Sequence, residues 1–192
     1  MKGYALFLFN KVHIIESIPK DEIQTGEKLH TTIRPLEYKF DKFEGAELSK
    51  VRSVDELDEV LTEIYRDAKS EIYSIIHIEA HGSKSGIELS SCETASWEWL
   101  KSRITRINIA TGLNLVITLA ACKGAYLSTI AHPPGRAPFF GLIAPLKDID
   151  PSPLEDSFYY LYTELMRSMD MDQAMERMHS EMSSEPFNYS LS

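Results

Sequence analysis

His81 and Cys122 are the residues of this sequence whose types and settings carry chemistry. Cys122 ends an apolar run, residues 115–124 (LVITLAACKG), rich in Val, Ile, Leu and Thr and bounded by Gly112 and Gly124. Such a run predicts a strand buried on both faces, with the cysteine at its carboxyl end. His81 ends a second apolar run, residues 73–82 (YSIIHIEAHG), and is followed by Gly82. In an open parallel sheet, reacting groups gather at the carboxyl ends of the strands. A histidine and a cysteine meeting there make a nucleophile pair, in which the imidazole takes the thiol proton and later protonates a leaving amine. Gly82, having no side chain, lets a substrate carbonyl approach its N–H, so the N–H groups of Gly82 and Cys122 are candidate oxyanion donors. A helix over residues 124–131 would set Cys122 just before a helix N-terminus, where unpaired N–H groups favour the thiolate. The same stretch is also compatible with an inert core cysteine, because free cysteine is among the most buried residue types.

The elements that must position this pair follow from the rest of the chain. Residues 4–9 (YALFLF) predict a buried strand, the first of a sheet, while 11–28 read as polar and unpatterned. Residues 29–43, with Pro35 among them, read as an edge strand or a loop, and 46–51 as a short strand. Ser53 and Glu56 form a capping box for a helix over 54–68, whose apolar stripe is Val54, Leu57, Val60, Leu61, Ile64 and Tyr65. After a turn at 83–86 and a brief strand at 87–89, a helix over 96–109 carries Trp97, Leu100, Ile104 and Ile107 and ends at Gly112. Residues 139–144 predict another strand. Ser152, Pro153 and Glu155 open a helix over 153–168, Asp170 caps one over 171–182, and 185–192 read as a frayed tail. This alternation predicts an α/β three-layer sandwich, a mainly parallel central sheet with helices on both faces. It forms a single domain over 1–192, of which 1–50 is the least patterned part.

Composition narrows the function. The chain has 192 residues, 43% hydrophobic and 26% charged, as in an ordinary globular domain. A net charge of −9, with only 20 Lys and Arg, argues against a nucleic-acid footprint, which needs a clustered basic surface. Cys92 and Cys122 lie far apart in unlike settings and suit neither a disulfide framework nor a zinc site, so no metal and no cofactor is expected. Residues 4–9 are too short for a signal-peptide core, and no run approaches the roughly 18 apolar residues of a membrane span, so the expected location is cytoplasmic with no membrane contact. His77 shares the sheet face of His81 and reads as a satisfied buried histidine. Glu79 can orient His81 or serve as a surface or salt-bridge residue, and Cys92, in a polar SSCET loop, reads as incidental.

An apolar strand ending in His-Gly, then an apolar strand ending in Ala-Cys, resembles the caspase-like (clan CD) cysteine peptidases, in their CHAT-type branch. The caspase signature Q-A-C-[RQG]-G is met loosely by AACKG, with His81 roughly 40 residues upstream. Downstream, FFGLIAPLKDIDPSPLEDSFYYLYTELMRSMDMDQAMERM is similar to the final strand and following helices of such domains, and the resemblance spans residues 51–182. It implies a caspase-like fold and an endopeptidase acting on a protein substrate, with His81 and Cys122 catalytic and Gly82 and Cys122 as the oxyanion hole. It also implies low basal activity under a sensor or regulatory protein encoded elsewhere, in a bacterial immune or cell-death system, and assembly into homo-oligomers or larger complexes. In relatives an acidic group on a strand-end loop pairs with Arg or Lys before the scissile bond. Asp148 and Asp150 lie on such a loop and read equally as solvated loop acids. A reading from another class stays open: a catalytically silent caspase-like interaction or regulatory module.

Overall fold

The computed structural model describes residues 8–129, 136–145, 154–181 and 187–191. In chain order its elements are β1 (Lys11–Ser17), α1 (Thr25–Ile33), β2 (Gly45–Lys50), α2 (Val54–Lys69), β3 (Ser74–Gly82), β4 (Gly86–Glu88), β5 (Thr94–Ser96), α3 (Trp97–Ala110), β6 (Val116–Ala120), α4 (Tyr126–Thr129), β7 (Gly141–Pro145), α5 (Leu154–Ser168), α6 (Met171–Ser180) and β8 (Phe187–Leu191). The main path of the sheet runs β2-β1-β3-β6-β7-β8. Its first five strands are parallel to their neighbours, and β8 is antiparallel to β7. A short antiparallel arm, β4 and β5, continues from the end of β3.

Helices cover both faces, as a mostly parallel sheet requires. On one face Ile15, Ile76, Ile78, Ile117 and Leu119 pack with Leu57, Leu61 and Ile64 of α2 and Leu100 and Ile104 of α3. On the other, Val12, Ile14, Ile75, Val116 and Ile143 pack with Leu29 and Ile33 of α1, Phe158 and Leu165 of α5 and Met178 of α6. Neighbouring residues such as Ile14 and Ile15 thus serve opposite layers, following the period of two along a strand. Each such side chain, fully buried, contributes about 1.5–3 kcal/mol. Among the described residues no helix is long and apolar enough to cross a membrane.

Two caps stand where their residue types place them. The Ser53 hydroxyl accepts from the Glu56 N–H at 3.2 Å and the Asp170 carboxylate from the Gln173 N–H at 3.0 Å, each contact contributing about 1 kcal/mol.

The amino-terminal quarter differs from expectation. Residues 4–7 lie outside the described residues, Leu8 and Phe9 are not in a strand, and the first strand is β1, within the segment that looked unpatterned. Its polar side chains are buried because they find distant partners. Ser17 donates to the Val51 carbonyl at 2.7 Å, the His13 ring pairs with the Ser49 hydroxyl at 3.0 Å, and Glu16 accepts from the Gly26 N–H at 2.8 Å. In place of an edge strand or loop at 29–43, the chain forms the end of α1 and a 3-10 turn, Arg34–Tyr38. Gln24 offers α1 no side-chain cap; Glu16 caps it from β1 instead, through the Gly26 and Glu27 N–H groups. The expected frayed tail is also corrected, since β8 runs in register with β7 from Gly141↔Leu191 to Pro145↔Phe187 and so gains backbone hydrogen bonds.

His13 makes folding stability depend on pH. It is 2% exposed, and burial pushes its pKa from 6.5 down to about 4. As pH falls below 6.5 the unfolded chain takes up the proton first, so stability present at neutral pH is lost between about 6.5 and 4, by about 3 kcal/mol. His13→Asn is expected to flatten that slope in urea unfolding measured across this range. An unchanged slope would assign the acid lability to other groups.

Candidate active site

His81 and Cys122 come together through the register of β3 and β6. Glu79 pairs with Ala120 across these parallel strands, and His81 and Cys122 each follow two residues further along, Cys122 in the turn just past the end of β6. Both line one cleft of about 590 Å³, a volume within the usual range for ligand sites. Glu79 and Ala120 line it too, with Ile18, Asp21, Glu22 and Ile23 from the strap of residues 18–24 that joins β1 to α1.

The strap supplies a partner for the histidine. His81 Nε2 lies 3.2 and 3.0 Å from the two carboxylate oxygens of Glu22. Both side chains are about half exposed, 49% and 46%, so the pair contributes only about 0.2–1 kcal/mol to stability. Its consequence is orientation: an Nε2–H held by the carboxylate leaves the Nδ1 lone pair to accept a thiol proton.

Gly82 is required by a close approach. A Cβ placed there would lie 2.1 Å from the Cys122 carbonyl oxygen and 3.1 Å from its nitrogen. The expected visitor in that space was a substrate carbonyl; the space beside its Cα holds the backbone of Cys122 itself. The direction of the Gly82 N–H follows from the arm. Ser83 donates to Gly86 at 2.9 Å, which makes the next pair, Gly82↔Ile87, a non-hydrogen-bonded one. Alternation along an antiparallel ladder then turns the Gly82 N–H away from β4, to the side on which Cys122 stands.

Cys122 is a free, partly buried thiol in a tight turn. Gly124 donates to the Ala121 carbonyl at 2.9 Å and Lys123 has φ +58°, the pattern of a type II turn with a lysine where glycine is usual. The helix α4 begins at Tyr126 rather than at 124, and residues 130–135 lie outside the described residues.

Beneath the pair lies a buried polar chain. His77 is wholly buried, with Nε2 2.9 Å from Glu79 Oε1 and Nδ1 within 2.8 Å of both the Thr118 and Tyr162 hydroxyls. Burial pushes the Tyr162 hydroxyl well above its ordinary pKa, so it serves as a neutral donor. Glu79, 1% exposed, also accepts from the Thr25 hydroxyl at 2.8 Å. Glu79 is therefore no surface residue; it binds His77 and Thr25, and Glu22 takes the place beside His81.

Asp148 and Asp150 lie outside the described residues. Cys92 is exposed, in a turn with φ +69°, away from the cleft lining. Sequence reasoning missed Asp21, Glu22 and Thr25; the only signal was a Lys-Asp-Glu run without periodicity. Among the described residues no three His, Cys, Asp or Glu side chains gather as a metal site. No family model and no curated protein matches the sequence.

Proposed function

We propose that this protein is a cysteine endopeptidase with a caspase-like, CHAT-type domain, using His81 and Cys122. The observation that carries the reading is that both residues line one cleft, at the carboxyl ends of adjacent parallel strands. In this mechanism His81 takes the Cys122 proton as the sulfur attacks the scissile carbonyl carbon. The N–H groups of Gly82 and Cys122 hold the resulting oxyanion. On collapse the C–N bond breaks, and the imidazolium gives its proton to the departing amine. Water, losing a proton to His81, then cleaves the thioester and releases the thiol. Glu22 holds the imidazole throughout.

Asp21 and Glu22 line the cleft, which favours a basic side chain before the scissile bond. A peptide library is expected to show that preference. Removing the pairing carboxylate, tested at Asp21, Asp148 and Asp150 in turn, should cost it roughly 1.5–3 kcal/mol; a preference for apolar residues would overturn this part. The effector role, in bacterial defence or cell death under a partner protein, is tested by running the same assay with and without the products of the neighbouring genes. Full turnover by a lone monomer would remove it.

A further inference from the structure

The strap that carries Glu22 is fastened by groups other than His81 and Cys122. Glu16 and Glu79 are register partners on β1 and β3, buried side by side one row below the pair. Between them they grip the first turn of α1: Glu16 accepts from the Gly26 and Glu27 N–H groups at 2.8 and 3.1 Å, and Glu79 accepts from the Thr25 hydroxyl at 2.8 Å. The fit is close, since a Cβ on Gly26 would lie 3.1 Å from Glu16 Oε1 and 3.1 Å from Glu79 Cγ. The strap is also braced from within. The Gln24 amide donates to the Pro19 carbonyl at 2.8 Å and to the carbonyl of Glu22 itself at 3.2 Å, while its oxygen accepts from Lys50 at 3.3 Å.

We propose that residues 18–24 are a positioning element for His81, in which the Thr25–Glu79 hydrogen bond anchors the strap to the sheet and the Gln24 carboxamide sets its shape. Thr25 and Gln24 are thus positioning residues: they act on the pair through Glu22. The proposal rests on the peptidase reading for its consequence in catalysis, but the orientation of the His81 ring is measurable without it. An exposed carboxylate on a seven-residue connection would otherwise sample many positions, and ordering it is what a fixed anchor and an internal brace accomplish.

The test uses the full chain with Cys92→Ser, so that Cys122 is the one thiol. Two quantities are read: the His81 imidazole resonances in a 1H–15N NMR spectrum, and the rate at which iodoacetamide labels Cys122 at about pH 6. Thr25→Val, which keeps the shape and loses the donor, and Gln24→Ala are each expected to move the His81 resonances toward those of Glu22→Ala. Each should slow labelling about ten-fold, below the roughly 100-fold that a 1 Å misplacement can cost. Thr25→Ser, which keeps the hydroxyl, should stay within about two-fold of the parent. His81 resonances unchanged in both Thr25→Val and Gln24→Ala would overturn the proposal, as would Thr25→Ser failing as far as Thr25→Val. If the resonances move as expected while His81→Ala leaves Cys122 labelling untouched, the positioning role stands and the peptidase reading is what falls.

Discussion

Cys122→Ala and His81→Ala are each expected to abolish cleavage of a cognate protein, by at least about 10⁴-fold, and the double variant should be little worse than either. In the proposed mechanism nucleophile and base act as one unit: without the imidazole nothing takes the thiol proton, and without the thiol the imidazole has nothing to activate. Cys92→Ala, an exposed residue away from the cleft, should remain within about two-fold of the parent. The same contrast should appear without any substrate. A limiting dose of thiol alkylator at mildly acidic pH should label Cys122 ahead of Cys92, and His81→Ala should remove that advantage. If Cys122→Ala still cleaves, the interaction-module reading takes the place of the peptidase.

Gly82→Ala should also be damaging, by a smaller factor and for a steric reason. The new methyl would stand 2.1 Å from the Cys122 carbonyl oxygen, and backbone cannot swing aside as a flexible side chain can. Either the end of β3 or the turn holding Cys122 must move, at a cost of about 1–3 kcal/mol of stability. A shift of about 1 Å at the reacting groups would also lower activity by about 100-fold. Gly112→Ala is the control. Gly112 has φ +69° with no atom within 4 Å of a Cβ, so alanine there meets strain of about 1 kcal/mol without a clash and should leave activity intact. Gly82→Ala with parental activity and melting temperature would contradict the close approach of the two strand ends.

The parts of the fold that could be read in the sequence are those whose information is local. Residues 73–82 and 115–124 are largely apolar runs, and Ser53 and Asp170 each bond a backbone N–H three residues on. His81 and Cys122 were legible because they interrupt such runs at their ends. β1 was not, because its buried His13, Glu16 and Ser17 mask the pattern, and what permits their burial lies on Ser49, the start of α1 and Val51. α1 was missed for the complementary reason: its cap is a carboxylate from another strand. Glu22 belongs to the same class, since a strap residue gains meaning only when β1, α1 and the end of β3 are assembled around it.

The two carboxylates that serve the cleft differ in their access to ions. Glu79 meets Thr25 and His77 in the protein interior, where dissolved salt does not reach, whereas Glu22 meets His81 with both partners about half in water. At physiological ionic strength the Debye length is about 8 Å, and it shortens as salt rises. The hold of Glu22 on the imidazole therefore weakens in concentrated electrolyte while the anchor beneath it does not. On the proposed mechanism, raising the salt concentration would loosen the imidazole from Glu22 before it loosened the buried contacts of Glu79.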